Sequence, residues 1–517
     1  MKLKTIVTKP FFLIFISAIF SALPLTFSNL FFISWVSFVP MIYVILKNSG
    51  DKLSRVLLRG FLFGFVYHVC IYYWFLWFYP LDFTNLTDAS SVAVVCLAWL
   101  GISLVHGILW CLPTLLGFIV QKFNKHPLLL AFTTIVGIIA AQKLTMLGEL
   151  SFPWVRISLG QYVAPVLIQS ASLFGAEGVD FLILFINASI ALCIIYPPKK
   201  RLLTAMMALV VFAANLSFGI IRLNTTNKTS DITVMTVQAS VQQTEKWSSE
   251  GDEIAYSAYS SLTKENITQD VDLILWPESA IPTVYQNENS LNDYKNLSKE
   301  LDTPLLSGVL LEGKTANTNS SALFDGEILV GIYSKRQLVP FGEYMPYETT
   351  LDKVFPFLKN LNIIEDKYIG GSDSAIIDSS VGKIGNVICF ENIYPALSRQ
   401  SVLDGAEIMV EATNDSWLKD SPAMSQHLAH AVFRSVETDR CLIRSANSGI
   451  SAIIDSRGNV IKQLGINESG VIVGNVYLND NVTLYTKTGD FLFWISIILL
   501  TIISICSIIK NLKKKSC

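Results

Sequence analysis

About eight apolar stretches, each long enough to cross a lipid bilayer, decide what this chain can fold into. They run near residues 11–27, 30–46, 56–79, 92–120, 128–146, 163–196, 202–221 and 491–509, by the rule that roughly 20 apolar residues span the hydrocarbon core. With 51% hydrophobic and only 15% charged residues, the apolar excess has the membrane as its destination rather than a globular core. The sixth stretch carries Glu177 and Asp180 near its start, so its membrane part is expected to begin near Phe181. Those two carboxylates suit a helix N-terminus, whose dipole favours negative charge, better than a lipid path.

Lys and Arg between the stretches set the orientation. Lys2, Lys4 and Lys9 precede the first stretch, and Lys47, Lys52, Arg55 and Arg59 follow the second. Lys122 and Lys125 follow the fourth, Lys199, Lys200 and Arg201 the sixth, and Lys510, Lys513, Lys514 and Lys515 the eighth. Of the alternate loops, the one near 81–91 holds Asp82 and Asp88 but no Lys or Arg, and the one near 148–162 has Arg156 as its one cation. An even number of spans with both termini cytoplasmic satisfies every loop, and an uncleaved first span fits this alternation better than a signal peptide cut after Ser21 and Ala22. Net charge is −2, with no basic block outside the short loops and the C-terminus, which sets nucleic acid aside as a partner.

Between the seventh and eighth stretches, residues 224–487 have the composition of a soluble domain, placed by the same alternation outside the inner membrane. Strand-like runs fall at about residues 232–238, 271–276, 305–311, 328–335, 383–390, 408–411, 449–455 and 470–476. A helical stretch near 423–440 spaces its apolar residues over one face. Strands alternating with helices predict a layered α/β fold. The expected organisation is a membrane domain at 1–223, this α/β domain at 224–487, and an eighth span with a basic tail at 488–517.

Three strand ends carry chemistry. The run from Lys383 to Phe390 ends in Cys389, followed by Glu391; the run from Val271 stops at Pro277 and delivers Glu278; the run from Ile328 delivers Lys335. Each alone has a bland reading, since a lone Cys is usually a small buried hydrophobe and Glu or Lys past a strand is usually a surface charge. In combination a carboxylate can take the thiol proton, and an ammonium can stabilise both thiolate and a tetrahedral oxyanion. Of the eight cysteines, Cys70, Cys96, Cys111, Cys193 and Cys506 lie in apolar stretches, Cys517 ends the tail, and only Cys389 and Cys441 lie in the polar part, a distribution that suggests neither a disulfide framework nor a zinc site. His427 and His430, three apart on the expected helix, lack a third ligand and read as solvated or capping side chains rather than a metal site.

These segments resemble the nitrilase superfamily, whose members place a Glu, a Lys and a Cys at strand ends of an αββα sandwich, and within it the apolipoprotein N-acyltransferase branch. The matching segments are Trp276-Pro277-Glu278, then Tyr333-Ser334-Lys335 running into Leu338-Val339-Pro340-Phe341-Gly342-Glu343-Tyr344, then Ile388-Cys389-Phe390-Glu391, and Thr413-Asn414-Asp415-Ser416-Trp417. Arg444-Ser445-Ala446-Asn447-Ser448-Gly449 resembles the family's late strand-entry motif. The resemblance implies Cys389 as nucleophile, Glu278 as general base and Lys335 as the cation that stabilises the intermediate, with Glu343, Glu391 and Trp247 at positions that bind substrate or tune the site. The sequence departs from the family at Phe390, commonly Tyr, so a phenol hydroxyl is absent while the ring can pack; at Gln238-Ala239-Ser240, where Gln-x-Asn is usual; and at Trp417-Leu418-Lys419, where Trp-Phe-Gly is usual.

The resemblance further implies a phospholipid acyl donor, in the first instance phosphatidylethanolamine, and as acceptor the N-terminal amine of a diacylglyceryl apolipoprotein at an inner membrane, with no cofactor and no metal. Residues 344–361, with Val354, Phe355, Pro356 and Phe357, are expected to form either a lid touching lipid or an ordinary packed loop. The alternatives are a membrane-anchored amidase or nitrilase-type hydrolase, in which water replaces the amine, and a non-enzymatic membrane sensor.

Overall fold

The computed structural model describes residues 10–47, 50–81, 86–225, 230–313, 315–354, 367–372 and 374–516. The chain divides into two compact units. One comprises Met1–Leu76, Val92–Asn224 and Thr488–Cys517; the other comprises Trp77–Ser91 and Thr225–Lys487.

The first unit is helical. Among the described residues, seven helices are long and apolar enough to cross a membrane: Ser28–Lys47, Leu53–Phe78, Asp88–Gln121, Pro127–Leu144, Ala171–Ile195, Pro198–Leu223 and Phe491–Asn511. The first expected span is the helix Pro10–Thr26, whose 17 residues stand at the short end of the roughly 17–25 that a bilayer requires. The helix Ala171–Ile195 is broken at Gly175, where φ is 68°, a conformation open to glycine without a Cβ penalty. Glu177 and Asp180 therefore open its second part, as a helix N-terminus favours, but ion pairs hold them as well. Arg156 donates to Glu177 at 3.2 Å and lies 3.7 Å from Asp180. Lys143 pairs with Glu177 and, at 2.6 Å, with Asp490. Arg156, the one cation of its loop, is thus buried against carboxylates, which fits a loop that counts as uncharged in the alternation of Lys and Arg.

The second unit is a two-sheet sandwich. Its strands are β1 (Ser230–Gln238), β2 (Leu273–Leu275), β3 (Val284–Tyr285), β4 (Leu305–Leu311), β5 (Thr318–Asp325), β6 (Ile328–Ser334), β7 (Ile376–Ser379), β8 (Gly382–Ile388), β9 (Ile408–Thr413), β10 (Leu442–Ala446), β11 (Ala452–Ile454), β12 (Val460–Gln463) and β13 (Gly470–Leu478). One sheet runs β13-β1-β2-β4-β5-β6 with β3 added beside β4, and the other runs β12-β11-β10-β9-β8-β7. The strands β1, β2 and β4 are parallel, as are β8, β9 and β10. Val234, Leu275, Leu306, Leu323, Ile384, Val410 and Ile443 fill the space between the sheets, each fully buried aliphatic contributing roughly 1.5–3 kcal/mol. Cys441 lies in that core as a free thiol. The outer face of the first sheet, with Met235, Ile274 and Trp276, packs against Tyr259 and Tyr294 from the helices Gly251–Asn266 and Asn292–Leu301. The helices Pro395–Leu403 and Ala423–Thr438 cover the second sheet. The layers are helix, sheet, sheet, helix, as expected.

Two sequence expectations need correction. The helix Ala423–Thr438 does not bury one face only: every residue from Gln426 to Thr438 is buried. The segment after β13 closes over it, with Thr483 Oγ1 donating to Glu437 O at 2.6 Å. His427 and His430 are likewise not solvated; they are 1% and 0% exposed. The expected lid at 344–361 lies outside the described residues from 355 onward.

Candidate active site

Four strand ends deliver the site, in keeping with the tendency of α/β sheets to bind at their carboxyl edges. β8 stops at Ile388, and the chain turns at once into the short 3-10 segment Cys389–Ile393. Cys389 takes a left-handed conformation with φ 50°, which for a residue with a Cβ is costly and concentrates at functional positions. Glu391 braces this turn. Its carboxylate accepts from Ile388 N at 2.8 Å, Arg336 N at 2.7 Å, Gln337 N at 3.1 Å and the Tyr333 hydroxyl at 2.7 and 2.8 Å. It therefore ties the end of β8 in one sheet to the end of β6 in the other. Burial still raises its carboxyl above the usual range, despite the donors around it. Phe390 is buried and packs edge-on against Tyr394, with ring centroids 5.6 Å apart.

Lys335, one residue past β6 and 1% exposed, sits between two carboxylates. Its Nζ donates to Glu278 Oε1 at 3.0 Å and to Glu343 Oε1 at 2.9 Å. Asn319 of β5 donates to the same two oxygens at 2.7 and 3.0 Å. The second oxygen of Glu278 accepts from Asn414 N at 2.8 Å, and that of Glu343 from Val339 N at 2.8 Å. Burial works against the Lys335 ammonium, but the charges of Glu278 and then Glu343 outweigh it and hold its pKa well above the usual lysine value. The Cys389 thiol is pushed well above its ordinary range, by burial first and then by Glu278, against the opposing pull of Lys335 and a hydrogen bond with Thr413. A cysteine thiol so placed needs a base before its sulfur can act as a nucleophile. Iodoacetamide is accordingly expected to alkylate Cys389 more slowly at pH 7 than it does a free cysteine, with a rate that climbs without levelling through pH 9, as mass spectrometry of the modified peptide can follow.

Gly308 of β4 gives Glu278 its place. A Cβ there would stand 2.5 Å from both Pro277 O and Ser279 N and 2.6 Å from Glu278 Cα. Gly308→Ala is expected to destabilise the domain by about 1–3 kcal/mol and to lower activity by shifting Glu278, measurable as a drop in Tm together with a drop in kcat.

A buried cluster behind Cys389 was not among the expected site residues. The Arg444 guanidinium pairs with Glu411 and, at 2.5 Å, with Asp415. His427 Nδ1 lies 2.9 Å from Asp415 Oδ1, and its Nε2 lies 3.2 Å from Cys389 O. Burial opposes ionisation of Asp415, but Arg444 and His427 hold its carboxyl well below the usual range. The segment Thr413-Asn414-Asp415 stood out in the sequence, yet nothing there tied it to a histidine twelve residues on. Asn319 likewise had no signal beyond its place in a polar strand. Trp247 is not drawn into the cluster: its ring is 49% exposed and its Nε1 donates to Gln243 at 2.7 Å. Its neighbour Lys246 is buried, and desolvation pulls its pKa down to about 8 against the charge of Glu278. Gln238 is also structural, accepting from Ser451 and donating to Gly465 O at 2.8 Å and Glu468 O at 2.9 Å.

A sandwich of this kind, with a carboxylate, an amine and a thiol at its strand ends, is the architecture of a nitrilase-type hydrolase domain, and the carbon-nitrogen hydrolase family profile matches residues 233–483. The profile of the apolipoprotein N-acyltransferase N-terminal domain matches residues 17–189. The apolipoprotein N-acyltransferase of Geobacter metallireducens is 30% identical over 482 residues, covering 89% of this chain and 88% of its own. Those of Gloeobacter violaceus and Allorhizobium ampelinum are 28% and 29% identical, covering 88% and 87% of this chain and 86% and 85% of theirs. The chain belongs to the apolipoprotein N-acyltransferase family and is a bacterial membrane protein.

Proposed function

We propose that this protein moves a fatty acyl group from a phospholipid to the N-terminal amine of a diacylglyceryl-cysteine apolipoprotein, through a thioester on Cys389. The observation that carries the reading is the buried Lys335 ammonium shared by Glu278 and Glu343 at 3.0 and 2.9 Å, in the same site as the left-handed turn at Cys389. Glu278 takes the Cys389 proton as the sulfur attacks the ester carbonyl of the donor. The C–S bond forms, the C–O bond breaks, and the lysophospholipid leaves with the proton from Glu278. The acceptor amine then attacks the thioester, its proton passes to Glu278, and the amide forms as the thiol is restored. Lys335 keeps its charge throughout and stabilises the oxyanion of both tetrahedral intermediates. Glu343 shares the Lys335 ammonium and so aims it, Glu391 and Phe390 hold the nucleophile's turn, and the exposed Trp247 ring offers a contact for lipid.

Residues 1–223 and 488–517 form the membrane domain in this reading, and 224–487 the catalytic domain. The distribution of Lys and Arg supports a catalytic domain on the periplasmic side of the inner membrane with both termini in the cytoplasm. A domain tethered in sequence between the seventh and eighth spans meets insoluble substrates without a search through bulk water. The test is to supply the detergent-solubilised protein with phosphatidylethanolamine carrying a labelled acyl chain, together with a diacylated lipopeptide bearing a free N-terminal cysteine amine. Label in an amide of the lipopeptide supports the reading. Label released as free fatty acid at the same rate with or without lipopeptide overturns it in favour of a hydrolase.

A further inference from the structure

Cys389 holds a left-handed backbone (φ 50°) that penalises any residue with a Cβ, and something must fix it there. The side-chain hydrogen bonds of Glu391 reach Tyr333 in β6, Arg336 just past it and the Ile388 amide, but not the peptide that follows Cys389. That peptide is met from the helix Ala423–Thr438 by His427, whose Nε2 lies 3.2 Å from Cys389 O. A carbonyl oxygen only accepts, so the contact requires the proton on Nε2. On the other side of the ring, Nδ1 is 2.9 Å from Asp415 Oδ1 and 3.0 Å from Arg444 Nη2. Either neighbour fixes the ring plane while Nε2 points at the nucleophile's carbonyl. Thr413 Oγ1 donates to Asp415 Oδ1 at 2.9 Å, and Arg444 pairs with Glu411, which accepts from Asn392 at 3.0 Å in the same turn as Cys389. His427, Asp415, Glu411 and Arg444 are each no more than 2% exposed. Buried charge clusters of this kind are weak contributors to stability as such, which leaves their placement around the nucleophile to be explained.

We infer that His427 is a positioning residue for Cys389: it grips the Cys389 carbonyl from a rigid helix, with Asp415 and Arg444 setting its orientation, so that the thiol meets the acyl carbonyl at the right angle. In a trans peptide the C=O and the next N–H point in opposite directions, so the same grip also fixes the Phe390 N–H. This inference rests on the thioester reading. It assigns His427 no contact with substrate and no proton transfer.

Two substitutions of similar size separate the grip from mere packing. His427→Gln extends an amide N–H to about the reach of Nε2 and preserves the hold on Cys389 O. His427→Asn places its amide near Nδ1, keeps the neighbours Asp415 and Arg444, and loses the hold. In the full-length protein, the single-turnover rate of acyl-thioester formation from phosphatidylethanolamine is expected to fall about 100-fold in His427→Asn. The lipid concentration at half-maximal rate and the Tm should remain near wild type, and His427→Gln should recover most of the rate. Amide exchange in a peptide spanning 386–394 should be faster in the Asn variant alone. Equal rates for Asn and wild type, or equal losses for Asn and Gln in step with Tm, overturn the inference. If the wild type forms no thioester, the thioester reading fails instead; exchange in 386–394 unchanged by His427→Asn then overturns the grip separately.

Discussion

Cys389→Ala is expected to remove acyl transfer, lowering kcat by on the order of 10⁵-fold or more, while the protein stays folded and membrane-inserted. Loss of a nucleophile leaves only binding and oxyanion stabilisation, with Lys335 and Glu278 still paired at 3.0 Å. Cys389→Ser should be nearly as inactive, because a site that holds even a thiol protonated offers still less help to a serine hydroxyl. Stability discriminates further. At φ 50° alanine keeps the Cβ penalty and glycine does not, so Cys389→Gly is expected to be as inactive as Ala yet more stable by about 1 kcal/mol. Thermal unfolding of the two variants side by side reads this difference, and a glycine variant less stable than alanine would contradict the strained turn.

Lys335→Met should be damaging in two ways at once. It leaves Glu278 and Glu343 facing each other through the oxygens that now share the ammonium. Breaking a buried ion pair from one side destabilises by about 3–5 kcal/mol, and loss of an oxyanion-stabilising cation lowers kcat by about 100- to 1,000-fold. The raised Lys335 pKa gives the sign with pH. In the wild type its stabilisation is complete below the ordinary lysine pKa and declines only as pH climbs through the raised folded value. In Lys335→Met that contribution is gone, and the deficit should hold steady from pH 8 to 5, all below the ordinary lysine pKa. A Tm difference that grows as pH falls from 8 to 5 would contradict this arrangement.

The sequence carried the outline because its strongest signals are physical. Long apolar runs can only be spans or deep core, and strand runs that end in Pro277 or in Cys389-Phe390-Glu391 announce where side chains leave a sheet. Long-range polar geometry was not visible. β5 reads Thr-Asn-Ser-Ser over Thr318–Ser321, a loop-like composition, yet it is a central strand whose Asn319 binds both site glutamates. β10 is short and carries Arg444, a charge that argues against a buried strand until Glu411 and Asp415 are brought beside it. The helix Ala423–Thr438 has a one-sided apolar pattern but is buried on all sides, and its polar residues are taken up in pairs, Arg434 with Glu437 at 2.9 Å and His427 with Asp415. Polar residues satisfied in pairs hide from a periodicity argument, and the second partner is a matter of topology.

Acyl transfer through Cys389 is read most directly from the intact mass of the purified protein after incubation with phosphatidylethanolamine, followed by a chase with diacylated lipopeptide. The expected result is a mass increase of one acyl chain, mapped to Cys389 and cleaved by hydroxylamine as a thioester is, which disappears as the lipopeptide gains the same mass. An acyl chain carried by any residue other than Cys389, or transfer to lipopeptide at full rate in Cys389→Ala, would contradict it.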